Sequence, residues 1–194
     1  MNTTSLTLLD RLRNAPADSP DWRYLHDLYL PLIQFWLRRV PSIRDEADDL
    51  AQNVFVILVG ELPSFERQRP GSFRSFLRKI TLNRIRDFQR TRRKRRQAAG
   101  DEEIDHFLTQ LEDPASDLSR QWDAEHDKHV LPRLLAVVKG DFTPTTWEAF
   151  TRYALDDRPP AEVAEELGMS LRAVIEAKSR ILKRLREVAG DLVD

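Results

Sequence analysis

Apolar residues recur along this chain at helical spacing, and no stretch shows the period-two alternation of a half-buried strand. A short amphipathic piece runs from Thr4 to Arg13, with Leu6, Leu9 and Leu12 on one side. Ser19-Pro20 pairs a cap with a first-turn proline. It predicts a helix carrying Trp22, Leu25, Leu28 and Tyr29, kinked at Pro31 and resuming through Ile33, Trp36, Leu37 and Val40. Ser42-Ile43-Arg44-Asp45 resembles a capping box. The helix predicted after it has Ala47, Leu50, Val54, Ile57 and Leu58 on one face and Glu46, Asp48, Asp49, Gln52 and Asn53 on the other. A proline-containing loop spans Glu61 to Gly71. Ser72 is then expected to cap a helix with Phe73, Phe76, Leu77, Ile80, Ile85 and Phe88 as its buried stripe.

The helical pattern returns from about Asp117, with Val130, Leu131, Leu134, Leu135 and Val138, and Gly140 stops it. Thr143-Pro144, or Thr145 with Glu148, opens another helix through Trp147, Phe150, Tyr153 and Leu155. The last signal is the clearest. Pro160 suits a first helical turn, Gly168 a left-handed helix end, and Ser170 the cap of a longer basic helix. Val163, Ala164 and Leu167 form one apolar face, and Leu171, Val174, Ile181 and Leu185 the other. Arg172, Glu176, Ser179, Arg180, Lys183 and Arg184 are left outward, as a helix entering a major groove requires. The plain alternative is an ordinary helical hairpin with a solvated basic face. The fold class is therefore all-α: two helical domains (1–96 and 119–194) joined by an acidic linker at 97–118, with a C-terminal helix-turn-helix.

Charge changes this picture through its distribution. The formal net charge of the 194 residues is only -1. The helix after Ser72, however, turns steadily basic through Arg74, Arg78, Lys79, Arg84, Arg86 and Arg90, and ends in Arg92-Arg93-Lys94-Arg95-Arg96. A solvated tail is the plain reading of such a run. Cations beside aromatic rings are also what unstacked single strands need, and that reading is the one adopted here. Composition then inverts. Asp101, Glu102, Glu103, Asp105, Glu112, Asp113, Asp117, Asp123, Glu125 and Asp127 meet little opposing charge, which reads as a flexible acidic tether or as a segment that occupies a partner's basic channel. His126 and His129 lack a third ligand and read as surface residues. Cysteine is absent, which excludes disulfides and thiolate metal sites and is compatible with a reducing cytoplasm. No signal peptide is expected from Met1-Asn2-Thr3-Thr4-Ser5, and no stretch approaches a bilayer span.

With these residues in view, the chain resembles the bacterial RNA polymerase sigma factors of the small, two-domain extracytoplasmic-function type. Glu46-Ala47-Asp48-Asp49-Leu50-Ala51-Gln52-Asn53-Val54-Phe55 is similar to that family's core-binding helix, usually written D-A-E-D-L-x-Q-E-x-F. The segment Ser72 to Phe88 is similar to its promoter-melting helix, F-R-x-W-L-x-x-I-x-x-N-x-x-x-D, and the C-terminal motif to the module that reads the upstream promoter element. Trp147-Glu148-Ala149-Phe150 and Ala177-Lys178-Ser179-Arg180 further resemble a subgroup abundant in planctomycetes.

The resemblance implies a transcription initiation factor and no catalysis of its own. Asp48, Asp49, Gln52 and Asn53 would bind core RNA polymerase. Phe65 and Arg67, in the loop that captures a flipped base of the minus-ten element, would join Arg78, Lys79, Asn83, Arg84, Arg86 and Arg90 in holding promoter DNA. Ser170, Arg172, Glu176, Ser179, Arg180, Lys183 and Arg184 would approach the minus-thirty-five element. Its implied partners are the polymerase, promoter DNA and an anti-sigma protein, with no membrane, small-molecule substrate, cofactor or metal. Three positions depart from the pattern: Asn53 stands for the usual Glu, Phe76 for the usual Trp, and Glu176-Ala177 for polar or basic residues. Two other readings stay open. One is a helix-turn-helix regulator acting without polymerase, which leaves the Glu46 to Phe55 helix without a partner. The other is a metal-dependent nuclease using Asp45, Asp48 and Asp49, which lacks convergent His or Cys ligands.

Overall fold

Helices satisfy most backbone polar groups of this protein, and no strand occurs among the described residues. The structure is a computed structural model, and it describes residues 7–16, 18–66, 72–96, 102–190 and 192. The chain divides into two compact units, Leu9–Val130 and Leu131–Gly190, apart from its short termini.

The first unit is built on α2 (Pro20–Leu37), α3 (Ala47–Glu61) and α4 (Ser72–Arg96), preceded by α1 (Leu8–Leu12), most of which belongs to it. The Ser19 hydroxyl accepts from the Asp21 N–H at 3.3 Å, so the cap and first-turn proline start α2 as expected. The helix runs unbroken through Pro31 rather than stopping and resuming there. The capping box at Ser42 is not formed. Pro41–Ile43 is a 3-10 turn, and α3 begins later, at Ala47, with no side-chain cap from Glu46. Pro41 favours that local turn, which uses up the Ser42 position before the helix starts. α2 packs on α3 and α3 on α4, burying Leu28, Ile33, Leu50, Val54, Leu58, Phe73, Leu77 and Ile85.

Of the stretch expected as a tether, residues 97–101 lie outside the described residues, and those that follow form α5 (Glu102–Glu112), which buries Ile104, Leu108 and Leu111 and packs on α4. α6 (Asp117–Lys139) follows after a four-residue turn, and the boundary between the units falls within it, after Val130. Acidic composition hid this because the apolar positions are few, though they sit at i, i+4 and i+7 on one face. Trp122 is fully buried, its ring 4.8 Å from that of Trp36. His126, read as a surface residue, is instead 1 % exposed. Its ring sits between the Tyr29 hydroxyl (3.2 Å) and the Asp127 carboxylate (3.0 Å). His129 meets the Leu28 carbonyl at 2.9 Å. These rings come from helix positions that also carry acids, so they turn inward while Asp123 and Asp127 point to Arg74 of α4 and Glu125 to Arg39 just after α2.

The second unit contains α7 (Pro144–Phe150), a π-helical turn at Thr151–Leu155, α8 (Pro160–Leu167) and α9 (Leu171–Ala189). The Thr143 hydroxyl caps α7 by accepting from the Thr146 N–H at 3.3 Å. Gly168 adopts φ +61° and closes α8, a conformation that costs a residue with a side chain. The Ser170 hydroxyl accepts from the Ala173 N–H at 3.1 Å and opens α9. Ala149, Val163, Ala164, Val174 and Ala177 form the core where α7, α8 and α9 meet, with Tyr153, Leu167 and Met169 packed around it. Arg152 and Arg158 converge on Glu166 at 2.7 and 2.9 Å, tying α8 to the segment before it. Leu171, expected in the packed face, is 47 % exposed, because the first residue after the Ser170 cap lies beyond the reach of that small core.

If α6 is part of the first unit's core, Trp122→Ala should destabilise that unit by about 3–5 kcal/mol, the usual range for truncating a buried aromatic ring. Urea unfolding followed by far-ultraviolet circular dichroism measures it. A loss under about 1 kcal/mol would mean α6 merely leans on the surface.

Candidate nucleic-acid interface

Three surfaces carry the residues singled out from the sequence. The first is the outer face of α3. Asp48, Asp49, Gln52 and Asn53 are all exposed there. Asp48 pairs with Arg38 at 2.6 Å, and Asn53 donates to the Asp49 carbonyl at 2.7 Å, so it braces its own helix as well as facing outward. Val56, one turn further on, is 70 % exposed, the most exposed of the large apolar side chains on the described chain. Sequence reading missed it. The available signal was its register, since it lies off the buried stripe of Ala47, Leu50, Ala51, Val54 and Leu58. A polar face that ends in a bare valine suits a protein partner, which gains by covering the apolar side chain.

The second surface lies at the start of α4. Ser64, Phe65, Glu66, Ser72, Ser75, Phe76 and Lys79 line a cavity of about 430 Å3. Phe65 does not stand free to meet a base. It is 8 % exposed, with its ring 4.9 Å from that of Phe76 and 5.7 Å from that of Phe73, because a phenylalanine beside two others gains more by burial than by exposure. It therefore forms the wall of the cavity, with Lys79 as its cation. Arg67 lies outside the described residues.

Along α4 the predicted basic residues separate into two sets. Lys79, Asn83 and Arg90 are exposed, Arg90 pairing with Asp87 at 2.8 Å within its own helix. Arg78 is drawn inward, its side chain 12 % exposed and 3.8 Å from Asp123. Arg74, expected on the exposed face, is also drawn in, held by Asp123 at 3.1 Å and Asp127 at 2.9 Å. Arg86 forms an ion pair with Glu112. Arg84 is partly covered, and its Nε has no hydrogen-bond partner among the described residues. Gln89 and Arg93 both donate to Asp105, at 2.8 and 2.7 Å. The hydrogen bond from Gln89 holds the Asp105 carboxyl below its ordinary value, desolvation opposes it, and Arg93 adds to the lowering. Burial pushes the Asp127 carboxyl up, but the hydrogen bond from His126 and the charge of Arg74 outweigh it, and the net shift is downward.

The third surface is α9. Arg172, Glu176, Ser179, Arg180 and Lys183 are exposed, and Arg184 is half-buried. Arg172 and Glu176 pair at 2.7 Å, and Arg184 binds Asp141 at 2.6 Å. The Ser170 hydroxyl is engaged as a cap, so its role is to position the helix. Leu171 and Ile175, each 47 % exposed, add an apolar strip one turn apart beside those charges. Lys178 lies 4.3 Å over the Tyr153 ring and is thereby fixed to the unit's body. Among the described residues, no group of three or more His, Cys, Asp or Glu side chains is placed to hold a metal ion, so Asp45, Asp48 and Asp49 do not form the ligand set of the nuclease reading.

The first unit is thus all-helical, with cations along one helix beside an aromatic-walled cavity. Residues 25–95 match the family model described as sigma-70 region 2, a span covering most of α2, all of α3 and nearly all of α4. Within the first unit, that span is similar to a sigma-70 region 2 domain. The match does not extend into α5, α6 or the second unit. No curated protein and no solved structure matches the chain. No described helix is long and apolar enough to cross a membrane.

The shift at Asp105 predicts a pH dependence. A carboxyl whose folded pKa is depressed contributes stability at pH above its unfolded value, about 3.9 for Asp, and loses it as pH falls through the folded one. Carbon-13 titration of the Asp105 carboxyl should therefore give a midpoint below the ordinary value, and Gln89→Ala should raise it. A midpoint unaffected by that substitution would contradict the geometry.

Proposed function

We propose that this protein is a sigma factor of the extracytoplasmic-function type, which binds core RNA polymerase and directs it to promoters. The observation that carries the reading is the coincidence of the region 2 match with a helix pair of the required character: α3 offers an exposed acidic and amide face, and α4 offers cations beside an aromatic-walled cavity. Asp48, Asp49, Gln52 and Asn53, with Val56 one turn beyond them, form the polymerase-facing surface. The cavity between Phe65 and Lys79 takes a base turned out of the minus-ten element. Turning a base out costs a few kcal/mol of unstacking, which a snug aromatic pocket offsets. Lys79, Asn83 and Arg90 hold the phosphates of the opened strand.

In the second unit, α9 is the helix that enters the major groove of the minus-thirty-five element. Arg172, Glu176, Ser179 and Arg180 lie toward base edges, and Lys183 and Arg184 toward phosphates. The exposed Arg180 and Ser179, and the rigid seating of α9 by the Ser170 cap and the Ala149–Val174 core, support that assignment. The polymerase performs the chemistry. An anti-sigma protein that covers these surfaces is the fitting regulator, and the cytoplasm the fitting compartment.

Capture of core polymerase and run-off transcription from a promoter library test the proposal. Asp49→Arg should abolish capture while leaving the circular dichroism melt unchanged, and unaltered affinity would overturn the assignment of α3. Arg180→Ala should weaken upstream-element binding by about 1–3 kcal/mol if it reads a base. An equal, salt-dependent loss on every sequence would make Arg180 a phosphate contact. Sequence-specific duplex binding with no capture of polymerase would favour a regulator that acts alone.

A further inference from the structure

The most unusual feature of the first unit is that its cationic helix already has an anionic occupant. α5 lies against α4, and it contains Glu102, Glu103, Asp105 and Glu112 but no Lys or Arg. Its carboxylates engage α4 at successive turns: Glu112 at Arg86, and Asp105 at Gln89 and Arg93. α6 continues the pattern toward the start of α4, with Asp123 and Asp127 on Arg74 and Asp123 near Arg78. Carboxylates spaced along a helix meet the same guanidinium groups that would otherwise meet phosphates spaced along a strand.

The two acidic helices are held differently. α6 is anchored by the buried Trp122 and by the Tyr29–His126–Asp127 chain of contacts, and the Arg74 side chain it grips is only 14 % exposed. α5 makes its ion pairs at the surface, and Asp105 also accepts from the buried Gln89. The Arg93 and Asp105 side chains are 43 % and 54 % exposed, and those of Arg86 and Glu112 are 36 % and 50 %. Exposed pairs of this kind are weak and exchange readily with other anions. A nucleic-acid strand that takes their place gains the entropy of released counterions, which a carboxylate pair does not offer. The buried Ile104, Leu108 and Leu111 are what keep α5 seated until that exchange occurs.

We infer that α5 is a built-in competitor for the strand-binding face of α4: it holds Arg86, Gln89 and Arg93 in the free chain, and it must let go before a single strand can use them. The inference rests on the reading of α4 as a nucleic-acid surface. It assigns the acidic segment an occupant within this chain rather than a channel in a partner. The free protein is thereby kept from binding nucleic acid indiscriminately, and affinity appears only when α5 is displaced.

The test is fluorescence anisotropy of a short labelled oligothymidylate with the full chain. Asp105→Asn combined with Glu112→Gln should tighten binding about tenfold and steepen its salt dependence, since cations are returned to the strand. A control pair, Asp18→Asn with Asp45→Asn, changes net charge equally at carboxylates on neither α4 nor α5. An equal gain in the control, or no gain in the α5 pair, overturns the inference. Adding Lys79→Ala and Asn83→Ala to the α5 pair separates the two claims. Loss of binding there confirms α4 as the surface, whereas undiminished binding overturns the reading of α4 and the inference with it. Hydrogen exchange of the unmodified chain is the second measurement. α5 amides should exchange faster when saturating oligothymidylate is present, and unchanged protection with the strand bound would overturn displacement.

Discussion

A helix that must be apolar on one side and densely cationic on the others cannot fold quietly into a small unit, and α4 is such a helix. Phe73, Leu77, Ile80 and Ile85 fix it in the core, which drags the neighbouring arginines toward the core's edge. A guanidinium taken from water without a partner is costly, so the positions nearest the core need carboxylates. Asp123 and Asp127 meet that need at Arg74, with Asp123 also near Arg78, while Asp105 and Glu112 make more exposed pairs further along. The folding of α5 and the first half of α6 onto this unit follows from that electrostatic demand together with the burial of Trp122 and the Ile104–Leu108–Leu111 stripe.

The same demand explains where sequence reading succeeded and failed. Helix signals that act locally were legible: the Ser19 and Ser170 caps, the Thr143 start, and the left-handed end at Gly168 all stand where the residues placed them. Periodicity also located the stripes of α3 and α4. What escaped was long-range. Composition marks 97–118 as acidic and hence tether-like, but composition does not reveal that its charges have partners many residues earlier. His126 reads as a surface residue when judged by its acidic neighbours, yet its ring turns to Tyr29, and Phe65 turns from the expected DNA to Phe73 and Phe76. Ser42 failed as a cap because Pro41 started a tighter turn first. Leu171 and Val56 show the opposite error, apolar side chains that the small cores leave uncovered.

These corrections sharpen the functional reading. The exposed set on α4 narrows to Lys79, Asn83 and Arg90 beside the Phe65–Phe76 cavity, while Arg78 and Arg86 are engaged by acids of the same chain. A chain with net charge -1 can thus carry a strongly basic helix without behaving as a polycation. On α9 the Arg172–Glu176 pair is exposed and intrahelical, a contact of the weak kind that exchanges readily.

The central claim is that α4 faces an opened strand in a complex with polymerase. Its most direct test is site-specific photo-crosslinking from a photoreactive side chain placed at Asn83. The chain would be combined with core polymerase and a promoter obtained by selection. The account predicts a covalent product with the non-template strand of the opened minus-ten region, formed only when polymerase is present. Crosslinking to fully paired DNA without polymerase, or to protein alone in an active transcription complex, would contradict it.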